Sequence, residues 1–226
     1  MKKWEDLPAE MQNSAVAPYY EILRRRVFSL LFKRIFDFLG ALILLIILSP
    51  VMLILVPYIR LNSPGPAIFT QVRVTRYGKK FKIYKFRTMR VAAAESGSQV
   101  TVNNDQRITS VGAFLRKYRL DELPQLFNIL LGQMSFVGTR PEVTQFVEQY
   151  QPEMYATLLL PAGVTSRASI EYKDESRLLA DAKDAQQVYI EQVLPAKMQI
   201  NLEQLREFSL KKDFLCLLQT LKAVIS

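Results

Sequence analysis

One uncharged stretch dominates the pattern of apolar and polar positions along this chain. It runs from Phe38 to Ile59, and its roughly 22 residues would reach about 33 Å as a straight helix, the thickness of a hydrocarbon core. Pro50 near its middle lacks an N–H and clashes with the carbonyl one turn earlier, which predicts a kink. Ser49 is placed to hydrogen-bond a carbonyl that Pro50 frees. The pattern predicts a membrane-embedded helix broken at Ser49-Pro50.

Lysine and arginine flank this stretch on both sides. The flanking cations are Arg24, Arg25, Arg26, Lys33 and Arg34 before it, and Arg60, Arg73, Arg76, Lys79, Lys80, Lys82, Lys85 and Arg87 after it. Basic residues beside a membrane segment favour the cytoplasmic side, so a single crossing would place one flank on the wrong face. A helix that enters, breaks and returns satisfies both flanks. We therefore predict a re-entrant helix hairpin over residues 21–60; the alternative is a buried core helix of a soluble protein, covered by apolar partners all round.

The rest of the chain predicts an α/β fold that is rich in helix and carries a small β-hairpin. Residues 1–20, with Pro8 and Pro18 as breakers, are expected to form an irregular lead-in, and residues 61–226 a catalytic domain. The segments AIFTQVRV and KKFKIYKFRTM alternate in polarity around Tyr77-Gly78, the pattern of two paired strands.

Helical spacing returns after a polar stretch, residues 94–106, that is expected to be a loop. Helices are predicted in SVGAFLRKYRL and around residues 145–159, 175–192 and 198–205. The chain ends in LKKDFLCLLQTLKAVIS, an apolar and basic helix that could pack on the domain, lie on the bilayer or form a homodimer contact. In the earlier KRIFDF segment, Lys33 or Arg34 is spaced to pair with Asp37.

The composition of the chain limits the ligands and metals that it can bind. The 226 residues carry a net charge of +9, which suits anionic lipid headgroups, phosphorylated substrates or nucleic acid. Cys216 is the single cysteine and there is no histidine, which excludes an intrachain disulfide and a histidine-rich zinc site. Any metal must then be held by oxygen ligands, which points to a hard ion such as Mg²⁺.

Two adjacent carboxylates stand out in the stretch DELPQLFNILLGQMSFVGTRPEV. Asp121 and Glu122 come just before an apolar helical pattern, with Pro124 in its first turn, so capping of that helix is one interpretation. Because adjacent side chains diverge, the other interpretation gives them separate roles. One carboxylate would attack phosphorus and the other would hold Mg²⁺.

Cations recur around this acidic pair. Lys85 and Arg87 continue the face of the second strand that carries Phe81 and Ile83, and either form a solvated strand end or point at a phosphate. Arg116 precedes the pair and Arg140 follows it in the turn Gly138-Thr139-Arg140-Pro141. The sequence contains neither a GxxxxGK[ST] loop nor GxGxxG, and no nucleic-acid reader motif, so a nucleic-acid partner is not expected.

In chain order, KRIFD, the Ser49-Pro50 break, NSPGPAIFTQVR, KFRTM, DQRIT, LDELPQLFNIL and VGTRPE resemble the bacterial sugar transferases called monotopic phosphoglycosyl transferases. The resemblance runs from about Lys33 to Glu142 and continues more loosely through LPAGVTSRASIEY. It implies a re-entrant membrane hairpin with a catalytic domain at the cytoplasmic face of the bacterial inner membrane. It further implies transfer of a sugar-1-phosphate from a UDP-sugar to polyprenyl phosphate, which releases UMP.

The resemblance also assigns roles to individual residues. Asp121 would be the nucleophile that forms a phosphosugar–aspartyl intermediate, and Glu122 would help to bind Mg²⁺. Lys85, Arg87 and Arg140 would contact phosphate groups. The chain departs from the family at Thr139, where the family commonly has proline, which puts the rigidity of that turn in question but keeps its charge. A catalytically silent scaffold that binds anionic lipid is the alternative function.

Overall fold

The computed structural model describes residues 1–90, 105–175 and 184–225 of an α/β protein rich in helix. The predicted loop over residues 94–106 lies almost entirely outside the described residues. In chain order the helices are α1 (Ala17–Arg24), α2 (Val27–Asn62), α3 (Ser110–Lys117), α4 (Gln125–Leu130), α5 (Thr144–Val147), α6 (Arg167–Glu171), α7 (Ala185–Val188), α8 (Leu194–Arg206) and α9 (Leu210–Ile225). The strands are β1 (Ile68–Val74), β2 (Lys80–Phe86), β3 (Met134–Val137) and β4 (Ala162–Thr165).

The N-terminal lead-in is more ordered than its prolines suggested. Short 3₁₀ turns at Trp4–Asp6 and Ala9–Met11 are followed by α1, which begins at Ala17 and not at residue 21. Pro18 occupies the first turn of α1, where a missing N–H costs no helical hydrogen bond. The turns also bury Met11 in the largest apolar core, against α1, α8 and the 3₁₀ segment Pro152–Leu159.

Helix α2 runs without interruption across Pro50 and also contains Pro57, so the helix is not broken at Ser49-Pro50 as predicted. Pro50 leaves the carbonyl of Ile46 without its usual helical N–H partner, since that carbonyl lies four residues earlier. The Ser49 hydroxyl donates a hydrogen bond to this same carbonyl at 2.9 Å. The predicted hydrogen bond of Ser49 to a freed carbonyl is therefore confirmed.

The outer face of α2 is apolar and exposed. By length and composition α2 is one helix that could cross a membrane, and only 17% of its most apolar stretch is buried. A core helix of a soluble protein would be mostly buried, so the exposure of α2 disfavours the soluble-protein alternative. The large apolar residues more than 60% exposed on this helix are Phe28, Phe32, Ile46, Ile47, Leu53, Ile54 and Leu61.

The inner face of α2 packs on the rest of the protein along its whole length. Ala41 joins a core with Phe81 and Ile129, whereas Leu55 and Ile59 join another core beside α3. Both ends of the helix therefore rest on the same folded body.

Polar contacts fix the first half of α2, but they differ from the predicted pairing. Lys33 Nζ lies 2.7 Å from the Asp213 carboxylate in α9, and Asp37 Oδ1 accepts a hydrogen bond from the Phe136 N–H at 3.0 Å. The expectation that a cation of KRIFDF pairs with Asp37 was therefore wrong. Each group finds a partner that sequence spacing cannot reveal, because folding brings α9 and β3 against α2.

Arg34 has its own long-range role. Its guanidinium donates to the carbonyls of Ile129 at 2.7 Å and Leu130 at 2.9 Å, at the C-terminal end of α4. A cation there satisfies carbonyls that the helix leaves free and complements its dipole. Arg34 therefore joins α2 to the helix that follows the acidic pair.

Two small sheets carry the loops of the candidate site. Strands β1 and β2 form the predicted antiparallel hairpin, with Phe69 opposite Lys85. Strands β3 and β4 pair in parallel, with Val137 opposite Thr165. A methyl group on Gly163 would approach the Gly138 backbone to 2.2 Å, so only glycine allows this close contact at the end of the β3–β4 pair.

Candidate active site

The acidic pair lies in a 3₁₀ turn, Leu120–Glu122, between α3 and α4. Arg119, just before it, has a φ of 55°, a left-handed conformation uncommon for a side chain other than glycine and found at tight, over-determined turns. Asp121 and Glu122 are only 7% and 9% exposed. Helix α4 begins at Gln125 after Pro124, and no side chain caps it. The capping interpretation is therefore wrong, and helix capping does not explain why Asp121 and Glu122 are buried.

Glu122 is held by two cations. Its Oε1 lies 3.1 Å from Lys85 Nζ and 2.7 Å from Arg140 Nη2. Burial opposes the charge of Glu122, but Arg140 and Lys85 outweigh it and lower the pKa of this carboxyl. Glu122 in turn raises the pKa of Arg140. Glu122 is thus an ionised anchor that sets the positions of both cations.

Asp121 is in the opposite electrostatic situation. Its Oδ1 is buried without a hydrogen-bond partner among the described residues. Burial and the neighbouring charge of Glu122 raise the pKa of Asp121, whereas Lys85, Arg116 and Arg140 act against that shift. A carboxylate oxygen that is desolvated and unpaired, yet surrounded by cations, is suited to attack an electrophile that brings its own negative charge.

Lys85 is positioned by a residue that the sequence pattern did not reveal. Asn128 in α4 is completely buried; its Oδ1 accepts from the Tyr84 N–H at 3.0 Å and its Nδ2 donates to the Lys82 carbonyl at 2.8 Å. These bonds tie β2 to the helix that follows the acidic pair. The only signal of this role in the sequence was that Asn128 is a polar residue on the apolar side of QLFNIL.

Gln125 is a second residue that the sequence analysis missed. It is 1% exposed, and neither atom of its side-chain amide has a partner within the described part of the chain. It follows Asp121 by about one helical turn. A buried amide left unsatisfied is costly, so Gln125 is a candidate for contact with a bound ligand.

The turn that carries Arg140 is held through its backbone. The Gly138 N–H donates to the Thr165 carbonyl at 2.9 Å, and the Gly163 N–H donates to the Thr139 carbonyl at 2.8 Å. These bonds extend the β3–β4 pairing beyond the strands. They fix the turn although Thr139 replaces the proline common in the family, because the fixed atoms are main-chain atoms.

Arg116 reaches the site from α3. This helix docks so closely on the segment after β2 that a methyl group on Gly112 would lie 2.0 Å from the Thr88 carbonyl oxygen. Arg116 Nε donates to Thr88 Oγ1 at 2.9 Å, and the Arg116 charge lowers the pKa of Asp121 against the effect of burial. Arg116 therefore belongs to the cationic surroundings of the pair.

Arg87 does not lie beside Lys85 at the acidic pair. Strand β2 ends at Phe86, so Arg87 leaves the alternation that was expected to carry it beside Lys85. Its Nη2 donates to the carbonyl and hydroxyl of Ser63 at the end of α2, and its side chain is 5% exposed. The solvated strand end is thus wrong for Arg87. Its Nε and Nη1 are buried without a partner in the described ranges, and a contact with phosphate remains a prediction.

The site fits a hard metal ion only in combination with a ligand. Among residues 1–90, 105–175 and 184–225, no group of three or more histidine, cysteine, aspartate or glutamate side chains could hold a metal. Asp121 and Glu122 nevertheless offer carboxylate oxygens, and Mg²⁺ is commonly held by one or two carboxylates together with phosphate oxygens and water. The unpaired Asp121 Oδ1 is consistent with that arrangement.

A comparison with known protein families identifies the chain. The model of the family described as bacterial sugar transferase matches residues 28–226, which include α2 except its first residue and every candidate site residue. The chain belongs to the bacterial sugar transferase family. The resemblance found in the sequence motifs is thereby confirmed, and the acidic pair with its cations lies within the matched residues.

Three relatives of this chain are named for related reactions. It is 36% identical over 198 residues to the UDP-N-acetylgalactosamine-undecaprenyl-phosphate N-acetylgalactosaminephosphotransferase of Aeromonas hydrophila, covering 86% of this chain and 44% of the relative. The chain is 35% identical over 208 residues to the UDP-glucose:undecaprenyl-phosphate glucose-1-phosphate transferase of Escherichia coli, covering 90% of this chain and 42% of the relative. It is 43% identical over 148 residues to the undecaprenyl-phosphate galactose phosphotransferase of Salmonella typhimurium, covering 59% of this chain and 31% of the relative. The chain spans less than half the length of each.

Proposed function

We propose that this protein is a phosphoglycosyl transferase that moves a sugar-1-phosphate from a UDP-sugar to polyprenyl phosphate and so initiates the synthesis of a surface polysaccharide or glycoconjugate. The observation that carries the proposal is Asp121, a buried carboxylate with an unpaired oxygen among Lys85, Arg116 and Arg140. The relatives named above act on undecaprenyl phosphate with different sugars, which supports the reaction class.

The reaction divides into two displacements at one phosphorus atom. In the first, an Asp121 oxygen bonds to the sugar-bearing phosphorus and the bond from this phosphorus to the bridging oxygen breaks, so UMP leaves with that electron pair. In the second, an oxygen of polyprenyl phosphate attacks the same phosphorus and the aspartyl–phosphate bond breaks. Asp121 is regenerated and the product is a polyprenyl-diphosphate sugar.

The two carboxylates divide the work according to their partners. Glu122 is tied to Lys85 and Arg140 and is therefore a poor nucleophile, whereas Asp121 keeps a free oxygen. The cations stabilise negative charge that develops on the transferring phosphoryl group and on UMP. Mg²⁺, when bound by Glu122, would neutralise phosphate charge at the same place.

A change of pH is expected to report the ionisation of Asp121. The attacking form is the carboxylate, and its pKa lies above the usual carboxyl value because of burial, so UMP release should fall as the pH drops through that raised pKa. Arg116→Gln removes a charge that lowers this pKa and should move the acid limb to higher pH. The measurement is the rate of the UMP burst against pH without acceptor, so that ionisation of polyprenyl phosphate does not contribute.

The control for this profile is Arg167→Gln, which removes an exposed arginine that lies 3.6 Å from Glu207, outside the cationic surroundings of Asp121. It should leave the acid limb where it is in the wild type. An acid limb unmoved by Arg116→Gln would mean that Asp121 does not limit the burst.

The proposal includes a monotopic arrangement at the cytoplasmic face of the bacterial inner membrane. Lys33 and Asp37 attach the first half of α2 to the folded body, and Arg87 attaches its last turn to the same body. A body bound to both ends of a helix lies on one side of the bilayer, which favours a re-entrant α2 over a crossing. The basic flanks would then face anionic headgroups.

Cysteine labelling tests this topology. In a Cys216→Ala background, Ser29→Cys before the uncharged stretch and Leu61→Cys after it are both expected to react with a membrane-impermeant maleimide from the cytoplasmic side. Intact and inverted vesicles make the comparison. Reaction of the two positions from opposite sides would establish a crossing and reject the re-entrant arrangement.

The direct test of the function is UMP release from a panel of UDP-sugars in the presence of Mg²⁺, with and without polyprenyl phosphate. The wild type is expected to release UMP continuously with acceptor and in a stoichiometric burst without it, and the responding sugar identifies the donor. Absence of release with every sugar would leave the alternative, a silent scaffold that binds anionic lipid, as the better explanation. For that scaffold, Asp121→Asn would leave cellular phenotypes intact.

A further inference from the structure

A buried network of charged and polar side chains lies directly behind the turn that carries Arg140. Glu142, two residues further along the chain, accepts a hydrogen bond on Oε1 from the Tyr189 hydroxyl at 2.7 Å. Lys197 Nζ donates to the same hydroxyl oxygen at 3.1 Å and to Glu175 Oε2 at 2.7 Å. Glu142, Tyr189 and Lys197 are 6%, 3% and 5% exposed. The hydrogen bonds therefore run in one direction, from Lys197 through Tyr189 to Glu142.

Arg73, in β1, is connected to this network through Glu142. Its Nη1 lies 3.9 Å from Glu142 Oε2 and donates to the Pro141 carbonyl at 3.2 Å. Its Nε and Nη2 donate to Gln71 Oε1, at 3.1 and 2.7 Å. The Glu142 carbonyl also accepts from the Val74 N–H at 2.9 Å, so β1 and the Arg140 turn are joined by both backbone and side chain.

Arg73 stands beside the charges of the acidic site. Burial lowers the pKa of Arg73, with a further lowering by the nearby Arg140 charge, whereas Glu142 and Glu122 favour its charged form. Two guanidinium groups side by side repel each other, and the arrangement is stable because each has its own carboxylate, Glu142 for Arg73 and Glu122 for Arg140. The result is a pair of fixed cations close to Glu122, the carboxylate beside Asp121.

The geometry leaves Arg73 able to bind a ligand. A guanidinium carries five N–H groups, and the bonds to Gln71 and Pro141 leave further N–H groups on Nη1 and Nη2. The side chain keeps 21% of its surface exposed, although its ionic partner Glu142 keeps only 6%. An arginine fork whose remaining N–H groups have no hydrogen-bond partner in the described ranges, beside a second arginine, matches a phosphate group.

We propose that Arg73 is a further donor-binding residue, which contacts a phosphate of the UDP-sugar beside Arg140, and that Glu142, Tyr189 and Lys197 are positioning residues that hold its guanidinium there. The inference rests on the proposed function for the identity of the donor. It extends that function to a residue of β1 and to the helices α7 and α8, between which Tyr189 lies.

Equilibrium binding of UDP, with Mg²⁺ and purified full-length protein in nanodiscs, tests the inference apart from catalysis. Arg73→Gln is expected to raise the Kd of UDP about tenfold or more, since hydrogen bonds to charged groups are the stronger ones. Arg73→Lys keeps the charge without the fork and should raise it about threefold. In UMP release, Arg73→Gln should raise KM for the UDP-sugar by a similar factor and leave kcat within about threefold of the wild type.

Tyr189→Phe tests the positioning role with little change of shape. It should raise the Kd of UDP about three- to tenfold, because Glu142, the ionic partner of Arg73, loses the hydroxyl that fixes it. In the Arg73→Gln background the same change should add nothing, since Tyr189 acts through Arg73. The matched control is Tyr19→Phe, which removes another buried tyrosine hydroxyl bonded at 2.7 Å to a glutamate, Glu153, away from the site. It should leave the Kd unchanged.

Each outcome has a distinct meaning. UDP binding that is unaffected by Arg73→Gln, or equal losses from Tyr189→Phe in both backgrounds, would overturn the inference while UMP release by the wild type sustains the function. A wild type that binds UDP through Arg73 but releases no UMP would sustain the inference as a binding site and reject the transferase. If Arg73→Gln does not fold, Arg73→Lys takes its place in both backgrounds. No UDP binding by the wild type would reject the inference.

Discussion

Asp121→Asn is expected to lower the rate of UMP release about a thousandfold or more, the scale seen when an enzyme loses its nucleophile. Asparagine keeps the size of the side chain but has no anionic oxygen to attack phosphorus. The measurement is single-turnover UMP release without acceptor, with the quenched protein analysed by mass spectrometry. The wild type should carry one phosphosugar group, and the variant none.

The matched control for this prediction is Asp184→Asn. Asp184 is an exposed aspartate whose Oδ1 accepts from the N–H groups of Gln186 and Gln187 at the start of α7, a role that asparagine also fills. The control removes the same charge and should release UMP at the wild-type rate. Release by Asp121→Asn at a rate near that of the control would place the nucleophile on another residue and remove the basis of the two-step mechanism.

Local sequence signals were sufficient for much of the fold and for the acidic site. The alternation of the two strands predicted the β1–β2 hairpin, because side chains of a strand point to opposite faces. Pro50 and Ser49 predicted a hydrogen bond within one helical turn, and it is present. Asp121 and Glu122 could be recognised because they are adjacent, and the cations because they recur near them. All of these depend on neighbours in the chain.

Features that depend on distant parts of the chain could not be predicted in this way. Lys33 pairs with Asp213, 180 residues away, and this contact replaced the local pairing expected with Asp37. Arg87 was expected to follow Lys85 on one strand face, but β2 ends before it and the end of α2 supplies the partner, Ser63. Side-chain parity is reliable only while the strand continues.

Buried polar residues were the other limit of sequence analysis. Asn128 and Glu142 lie in segments that would be classified by their apolar or turn patterns, and the value of each comes from partners on other elements. A pattern of apolar positions shows which face of a helix is buried. It does not show that one buried position carries hydrogen bonds on which the placement of Lys85 depends.

Glu122→Gln is expected to reduce both stability and activity, because Glu122 is the shared partner of Lys85 and Arg140. Removing one member of a buried ion pair typically costs about 3–5 kcal/mol, since the remaining charge has no compensation. Misplacement of the two cations and weaker Mg²⁺ binding should lower UMP release about a hundredfold or more. Thermal unfolding in nanodiscs and steady-state UMP release measure the two effects.

The pH dependence separates the charge of Glu122 from its shape. The pKa of Glu122 is lowered in the folded protein, so its stabilising contribution is present above the ordinary carboxyl pKa and declines as the pH falls below it. The difference in stability between wild type and Glu122→Gln should therefore be full at neutral pH and shrink under acid conditions. Glu21→Gln, which removes the exposed pair with Arg24, should cost only about 0–1 kcal/mol at neutral pH. If Glu122→Gln costs no more than this control, the buried ion triad does not hold the site together, and Asp121 must be positioned by its backbone turn alone.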